Sequence, residues 1–335
     1  MNTEDIRFRA LVVDKGGSGE FRREVRERSI GELPSGDLLV KVRFSSLNYK
    51  DALSATGHPG VTRQFPHTPG IDAAGEVASS TSGAFSPGDK VIVTGYDLGM
   101  ETDGGWGGYI RVPSEWCIPL PARLSIRESM VLGTAGLTAA ISVMKLEQGG
   151  VMPGDGEVLV TGATGGVGCI AVAILAKRGY RVVASSGKRG DADFLKRLGA
   201  AGVVSRTEVT EGGERPLMKE RWSGAIDVAG GATLASVIKA TRYGGAVACC
   251  GMVGSPELNM NVYPFILRGV TLMGVDSVNL PAPVRHSLWE KLAGPWKPEG
   301  IWDYVTETGL EGLEERIQAI LAGGVKGRVL VRHSA

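Results

Sequence analysis

Residues 157–171 read EVLVTGATGGVGCIA. A β-rich run, Val158–Thr161, ends in a glycine-dense turn and restarts as a second apolar run, Cys169–Ala176, compatible with a helix. The spacing Gly162-x-x-Gly165-x-x-Gly168 carries the physical content. Glycine permits a sharp reversal from strand to helix and lets backbone N–H groups approach a pyrophosphate resting on the helix N-terminus. A glycine triplet alone is weak in a chain with 50 glycines, where a purely structural turn has the same pattern. Its surroundings strengthen it. Lys177 and Arg178 fall in the last helical turn, Gly179 stands as a C-cap, and Tyr180–Ser185 supplies a second β-branched run. The whole segment is a β-α-β unit that predicts a bound dinucleotide.

Outward from this unit, further strands begin at or span Val203, Gly224–Val228, Ala246–Cys250 and Val270–Gly274, alternating with helical stretches. That alternation predicts a parallel, doubly wound sheet. The chain before residue 124 has a different texture. Short β-type runs at Ala10–Val13, Leu38–Phe44, Gly75–Val77, Lys90–Val93 and Tyr109–Val112 are broken by Leu33-Pro34-Ser35-Gly36, Pro69-Gly70 and Pro87-Gly88-Asp89. A small, mostly antiparallel barrel is expected there. A helical connector runs from Ile126 to Leu146, and beyond Pro281 a helix around Val284–Ala293 leads to a terminal strand, Gly327–Arg332, expected to rejoin the barrel. The expected domains are therefore residues 1–124 with 283–335, and residues 125–282.

The 335 residues carry a formal charge of +1, and the pI is near 7.7. Bulk electrostatics thus point to neither nucleic acid nor a membrane surface. No apolar stretch reaches spanning length without a glycine or a charge, and MNTEDIRFRA lacks a signal-peptide core, so the cytoplasm is the expected location. Cys117, Cys169, Cys249 and Cys250 contain no C-x-x-C pair. Buried free thiols are expected, with no disulfide and no structural zinc.

The end of the second strand selects the dinucleotide. A carboxylate about twenty residues beyond the glycine turn would accept from the ribose 2'-hydroxyl of NADH. Here the chain reads Ser185-Ser186-Gly187-Lys188-Arg189. Hydroxyls and cations suit a 2'-phosphate, so NADPH is expected; the alternative is a solvated charge pair with Asp191 at a helix start.

Several longer motifs then carry a resemblance. SSLNYKDAL (45–53), FPHTPGIDAAGEV (65–77), GTAGLTAA (133–140), VTGATGGVG (160–168) and YPFILRGVTLMGVDSV (263–278) span the chain nearly end to end. Together they resemble the medium-chain dehydrogenase/reductase superfamily, and within it the YhdH/YhfP quinone-oxidoreductase-like group that includes acrylyl-CoA reductase. The resemblance implies a GroES-like β-barrel catalytic domain joined to a Rossmann doubly wound nucleotide-binding domain, and a homodimer. Zinc alcohol dehydrogenases of this superfamily place metal ligands where this chain has Asn48, Ile71 and Thr134, so no catalytic metal is expected. The histidines His58, His67, His286 and His333 match no zinc spacing and read as surface or turn residues.

The resemblance also implies site roles. Asn48, Tyr49 and Asp51 become the catalytic candidates: a donor to an oxyanion, a phenol near the nicotinamide, and an orienting or proton-relaying carboxylate. A plain turn, with Asn48 and Asp51 serving local backbone, accounts for the same residues. For the cofactor, Thr164, Gly165, Gly166 and Val167 would line the pyrophosphate, and Ser186, Gly187 and Lys188 the 2'-phosphate. Arg206 would face the adenine; Tyr49, Thr134, Thr138, Met252, Ile266 and Ser277 would border the ribose and nicotinamide. Core packing explains Met252 and Ile266 equally well. A metal-free reductase needs an easily reduced acceptor, and a conjugated alkene is one: hydride adds to the β-carbon while charge passes to the carbonyl oxygen. The leading expectation is reduction of acryloyl-CoA to propanoyl-CoA, with Lys50, Arg63 and Arg285 as candidate contacts for the CoA phosphates. A quinone or enone acceptor is the runner-up, and an NADPH-binding sensor or structural protein is the non-enzymatic alternative.

Overall fold

The computed structural model describes residues 6–187 and 189–333; Lys188 therefore lies outside the described residues, as does the Arg189 side chain. Two compact units emerge: Met1–Thr134 with Val278–Ala293 and Val305–Ala335, and Ala135–Ser277 with Gly294–Tyr304.

The first unit opens with a hairpin of β1 (Arg7–Lys15) and β2 (Phe21–Ser29), paired from Arg7 opposite Ser29 to Lys15 opposite Phe21. β3 (Leu38–Leu47), α1 (Tyr49–Ala55), β4 (Asp72–Ser80), β5 (Lys90–Thr94), β6 (Tyr109–Val112) and β7 (Cys117–Pro119) follow. Alternation buries Leu38, Val40 and Val42 of β3 against Ala73, Val91, Val93 and Ile110. This is the period-2 pattern of a strand with one face on a core. β2 escaped the sequence reading because FRREVRERS has few apolar residues. Ion pairs hold it instead: Arg26 grips Asp14 of β1 with two 3.0 Å bonds, and Arg23 reaches Glu314.

α2 (Ile126–Gln148) crosses into the second unit and breaks its helical geometry at Gly133, with φ 50° and ψ −152°. By length and composition α2 could cross a membrane, but 83% of its apolar window is buried in the protein, as in a core helix.

The second unit alternates β8 (Glu157–Val160), α3 (Gly166–Lys177), β9 (Arg181–Ser186), α4 (Ala192–Arg197), β10 (Gly202–Ser205), α5 (Arg206–Thr210), β11 (Trp222–Asp227), α6 (Gly231–Ala240), β12 (Thr241–Cys249), α7 (Tyr263–Arg268) and β13 (Thr271–Gly274). All six strands are parallel, in the order β10-β9-β8-β11-β12-β13. The order reverses between β8 and β11, the switch point beside which ligands of such sheets bind. α3 follows β8 there, and its residues Gly168–Leu175 are all buried, which explains their unbroken apolar run.

The tail supplies α8 (Ala282–Ala293), β14 (Val305–Thr308), α9 (Leu313–Leu321) and β15 (Arg328–Arg332). β15 pairs antiparallel with β3, giving the first unit a sheet ordered β14-β15-β3-β4-β5-β7, with β6 also on β3.

The units differ from the expected domains in three places, the first being that residues 278–282 belong to the first unit. The first unit extends to Thr134, because Thr134 is bonded to Asp72 of β4. Residues 294–304 belong to the second unit, tied there by Lys177–Glu299 at 3.0 Å and by Phe194 against Tyr304. All four cysteines are free, but only Cys117 and Cys169 are fully buried; Cys249 and Cys250 are half-buried at the end of β12. β7, of three residues, was too short to read from sequence, and β14, VTET, has no buried alternation to signal it.

In α3 the closest packing falls at Gly168, where an added Cβ would press on the Gly162 carbonyl and stand 2.7 Å from Ala163 Cα. Gly168→Ala is expected to lower the unfolding free energy by about 1–3 kcal/mol in urea titrations. Gly83→Ala, with nothing within 4 Å of its new methyl, should stay within about 0.5 kcal/mol of the parent. Equal effects of the two substitutions would refute the packing argument.

Candidate functional site

In the second unit the glycine turn leaves β8 at Thr161, and Gly162 takes a left-handed φ of 55°. Gly165 caps α3, whose first turn contains no acidic residue and presents the N–H groups of Gly166 and Val167. Asp227, at the end of neighbouring β11, holds the turn in place. Its carboxylate accepts from Thr161 Oγ1 at 2.7 Å and from Gly230 N at 2.6 Å. Burial pushes its pKa up, opposed by these donors. Donor-rich helix start, missing side chains and lack of negative charge all fit a pyrophosphate.

At the end of β9, Ser186 pairs with Ser205 of β10, which caps α5. Arg206 begins α5, and its guanidinium lies over Gly187: a Cβ there would sit 3.3 Å from Arg206 Nη2. Arg206, expected on the adenine side, thus stands beside Gly187, the residue expected at the 2'-phosphate. Ser186 Oγ donates to Asp191 Oδ2 at 2.9 Å, so its proton is already engaged. Thr138 Oγ1 and Ser277 Oγ meet at 3.0 Å. Met252 and Ile266 are 66% and 70% exposed, which removes core packing as their explanation. Thr164 is half-buried at the turn.

The first unit holds a separate polar cluster. Asn48 precedes α1 and Asp51 is its third residue, fully buried. Asp51 accepts from Asn48 N at 2.7 Å and from Ile71 N at 2.7 Å. Asp72, equally buried, accepts from Ser46 Oγ at 2.5 Å, Asn48 Nδ2 at 2.8 Å, Thr134 N at 2.9 Å and Thr134 Oγ1 at 2.6 Å. Arg328 of β15 completes the cluster, donating to Asn48 Oδ1 at 3.2 Å and Val131 O at 2.8 Å. Burial, and then the nearby Asp72 charge, pushes the Asp51 pKa from 3.8 to about 7.

This geometry corrects several expectations. Asn48 cannot serve as a ready oxyanion donor, because its amide N–H groups are directed to Asp72, Asp51 and Ser46. Thr134 joins the Asp72 cluster and not the Thr138–Ser277 pair. Arg285 is 1% exposed and directs its guanidinium to Thr94 O, Val278 O and the Tyr96 ring, so it leaves the set of phosphate ligands. His67 is buried against Ser54 Oγ at 2.8 Å, with burial lowering its pKa to about 4. His333 is bonded to the Gly105 carbonyl. His67 is thus not a surface residue, and His333 is half-buried. Tyr49 is 37% exposed beside the cluster; Lys50 is half-buried and Arg63 exposed on a different loop, where its Nε meets Pro59 O at 3.4 Å.

Sequence reasoning missed Ser46, Asp72 and Arg328. The available signal was charge in apolar strands: Asp72 interrupts GIDAAGEV, and Arg328 opens RVLVR. At the positions of the expected metal ligands, Ile71 is apolar, while the polar groups of Asn48 and Thr134 are bonded within the cluster. They do not fit a catalytic zinc. Among the described residues no group of three or more His, Cys, Asp or Glu is placed to hold a metal.

Comparison with known proteins agrees with this architecture. Residues 34–122 match the alcohol dehydrogenase GroES-like domain, and residues 166–293 match the zinc-binding dehydrogenase domain. The two define a dehydrogenase of the two-domain type. Acrylyl-CoA reductase AcuI of Ruegeria pomeroyi is 44% identical, with 97% of this chain and 98% of that protein covered. The YhdH oxidoreductase of Salmonella enterica in complex with NADP superposes with a TM-score of 0.94 at 44% identity, over 97% of this chain and 100% of the other. YhfP of Bacillus subtilis with NAD bound gives a TM-score of 0.95 at 47% identity, over 98% and 100%. The chain belongs to the medium-chain dehydrogenase/reductase family, in the YhdH/YhfP group that includes acrylyl-CoA reductase.

The Asp51 environment has a measurable pH signature. Its carboxyl is protonated in both folded and unfolded states below about pH 4; from there to about pH 7 the folded state retains a proton that the unfolded chain has released. Its contribution to stability is therefore present at low pH and lost as pH rises through about 7. Urea unfolding of Asp51→Asn should show a flatter dependence across this window than the parent, and identical slopes would contradict the assignment.

Proposed function

We propose that the protein is an NADPH-dependent reductase of an activated C=C bond, acting on an enoyl thioester of the acryloyl-CoA class and forming the propanoyl-CoA class of product. The supporting observation is the buried Asn48–Asp51–Asp72–Thr134–Arg328 cluster, in which Asn48 and Thr134 stand at positions where the resemblance puts metal ligands of zinc-dependent relatives. Bound NADPH supplies the hydride.

The chain's residues do the rest. The N–H groups of Gly166 and Val167 hold the pyrophosphate, while Gly165 N closes the turn on Gly162 O at 3.0 Å, and Arg206 beside Gly187 meets the 2'-phosphate, with Lys188 in the same segment. Addition at the β-carbon leaves an enolate that needs a donor at oxygen and a proton at the α-carbon. Tyr49, whose ring is partly exposed beside the cluster, donates to the oxygen. Asp51, fully buried with its pKa raised to about 7, orients the head of α1, and the proton for the α-carbon comes from solvent water. Asp72 and Arg328 fix the Asn48 amide, and Asn48 fixes Asp51. Lys50 and Arg63 offer cations to the CoA phosphates. Catalysis on this reading uses no metal.

A homodimer belongs to the same reading. β13 is an edge of its sheet, and Ile266 and Leu267, just before it in the chain, are 70% and 58% exposed. Such an edge favours pairing with a second strand. Sedimentation velocity should give twice the 35.2 kDa chain mass, and a monomer at all concentrations would reject the pairing.

NADPH oxidation with acryloyl-CoA, crotonoyl-CoA and 1,4-benzoquinone in parallel tests the reaction. Faster turnover of the thioesters, unchanged after exhaustive chelation, is expected. Preference for the quinone would transfer the assignment to a quinone reductase, and binding of NADPH without turnover to a non-catalytic protein. Arg206→Ala should raise KM for NADPH at least about tenfold more than KM for NADH, equivalent to roughly 1.4 kcal/mol; equal effects would remove Arg206 from the 2'-phosphate site.

A further inference from the structure

The second unit holds a cavity of about 530 Å³ that includes no residue of the glycine turn. One wall is a face of α6, where Ala235, Ser236 and Lys239 follow at helical spacing; the Gly213–Glu214 turn and the Ser255–Asn259 segment supply the others. Its volume lies in the range of small-molecule sites.

Charge is distributed unevenly around it. Lys239 is only 7% exposed, and a buried ammonium is costly without compensation. Its Nζ donates to Gly213 O at 2.7 Å, and among the described residues that carbonyl is its one acceptor. An ammonium has three N–H donors, so the cavity wall retains capacity to donate to an anion. Glu214 and Glu257 also line the cavity but are exposed. Glu214 has only a 3.8 Å contact with the equally exposed Arg215, and Glu257 accepts from Asn259 Nδ2 at 3.4 Å. The cavity thus combines a buried cation with carboxylates at the solvent side. A phosphate-rich ligand would meet repulsion from those carboxylates, while a simple cation would leave Lys239 without its anion.

We propose that this cavity is a binding site for a small amino carboxylate, whose carboxylate meets Lys239 and whose ammonium meets Glu214 and Glu257. The site shares no residue with the proposed reductase machinery, so its fate is independent of that function.

Isothermal titration of the full-length protein with 4-aminobutanoate and 6-aminohexanoate tests it, with butanoate and butylammonium as single-ended controls. Saturable binding of at least one amino carboxylate is expected, at least about tenfold tighter than either control. Glu257→Gln, at an exposed position, and Lys239→Met should each weaken that binding at least about tenfold. Thermal melting establishes that each variant is folded, and Glu257→Gln decides the matter if Lys239→Met is not. No saturable heat up to about 10 mM, butanoate binding as tightly as the amino carboxylates, or unchanged affinity in the folded variants would each overturn the proposal.

Discussion

The first unit depends on a buried carboxylate. Asp72 at the start of β4 collects donors from three other places in the chain: Ser46 near the end of β3, Asn48 at the head of α1, and Thr134 in α2. Hydrogen bonds to a charged group contribute about 1.5–3 kcal/mol each, and a donor stripped of its acceptor in a dry interior costs as much again. Gly133 makes the arrangement possible, because a Cβ at its left-handed φ of 50° would press on Asp72 Oδ2. Helix geometry therefore breaks at Gly133 so that Thr134 can turn both its N–H and its hydroxyl to the carboxylate.

The same carboxylate adds to the raised pKa of Asp51. Removal from water is the larger cause, and the nearby Asp72 charge pushes in the same direction. Asp51 is consequently held near neutrality while remaining hydrogen-bonded to Asn48 and Ile71. The second unit applies a related device, with buried Asp227 fixing Thr161 and Gly230 on either side of the glycine turn. In both units a fully buried aspartate fixes neighbouring backbone.

Legibility in the sequence followed period and composition. Parallel strands buried on both faces appear as continuous apolar runs, and α3, buried throughout, reads the same way, so the second unit was nearly complete on inspection. Tyr109–Val112 was placed to the residue. β2 was invisible because its Arg stems and ion pairs do the work of apolar side chains. Site residues divided along another line. Backbone-supplied donors at Gly166 and Val167 are signalled by the glycine turn before them, which is local information, whereas Arg206 against Gly187 requires β9 and β10 to lie side by side.

By itself, the sequence determined the β-α-β turn at Gly162–Gly168, the alternation that makes a parallel sheet, the absence of zinc-type side chains at Asn48, Ile71 and Thr134, and the family. These are properties of spacing and residue type, read within short windows. Only the tertiary structure decided that Asn48 is occupied as a donor, that Arg285 and His67 are buried, and that Asp72 and Arg328 meet around Asn48. Residues 48, 72, 134 and 328 are distant in the chain, and long-range strand pairing of β15 with β3, together with the break at Gly133, brings them within hydrogen-bonding distance. Hydrogen bonding and desolvation depend on that distance and on burial, neither of which is encoded in any local stretch.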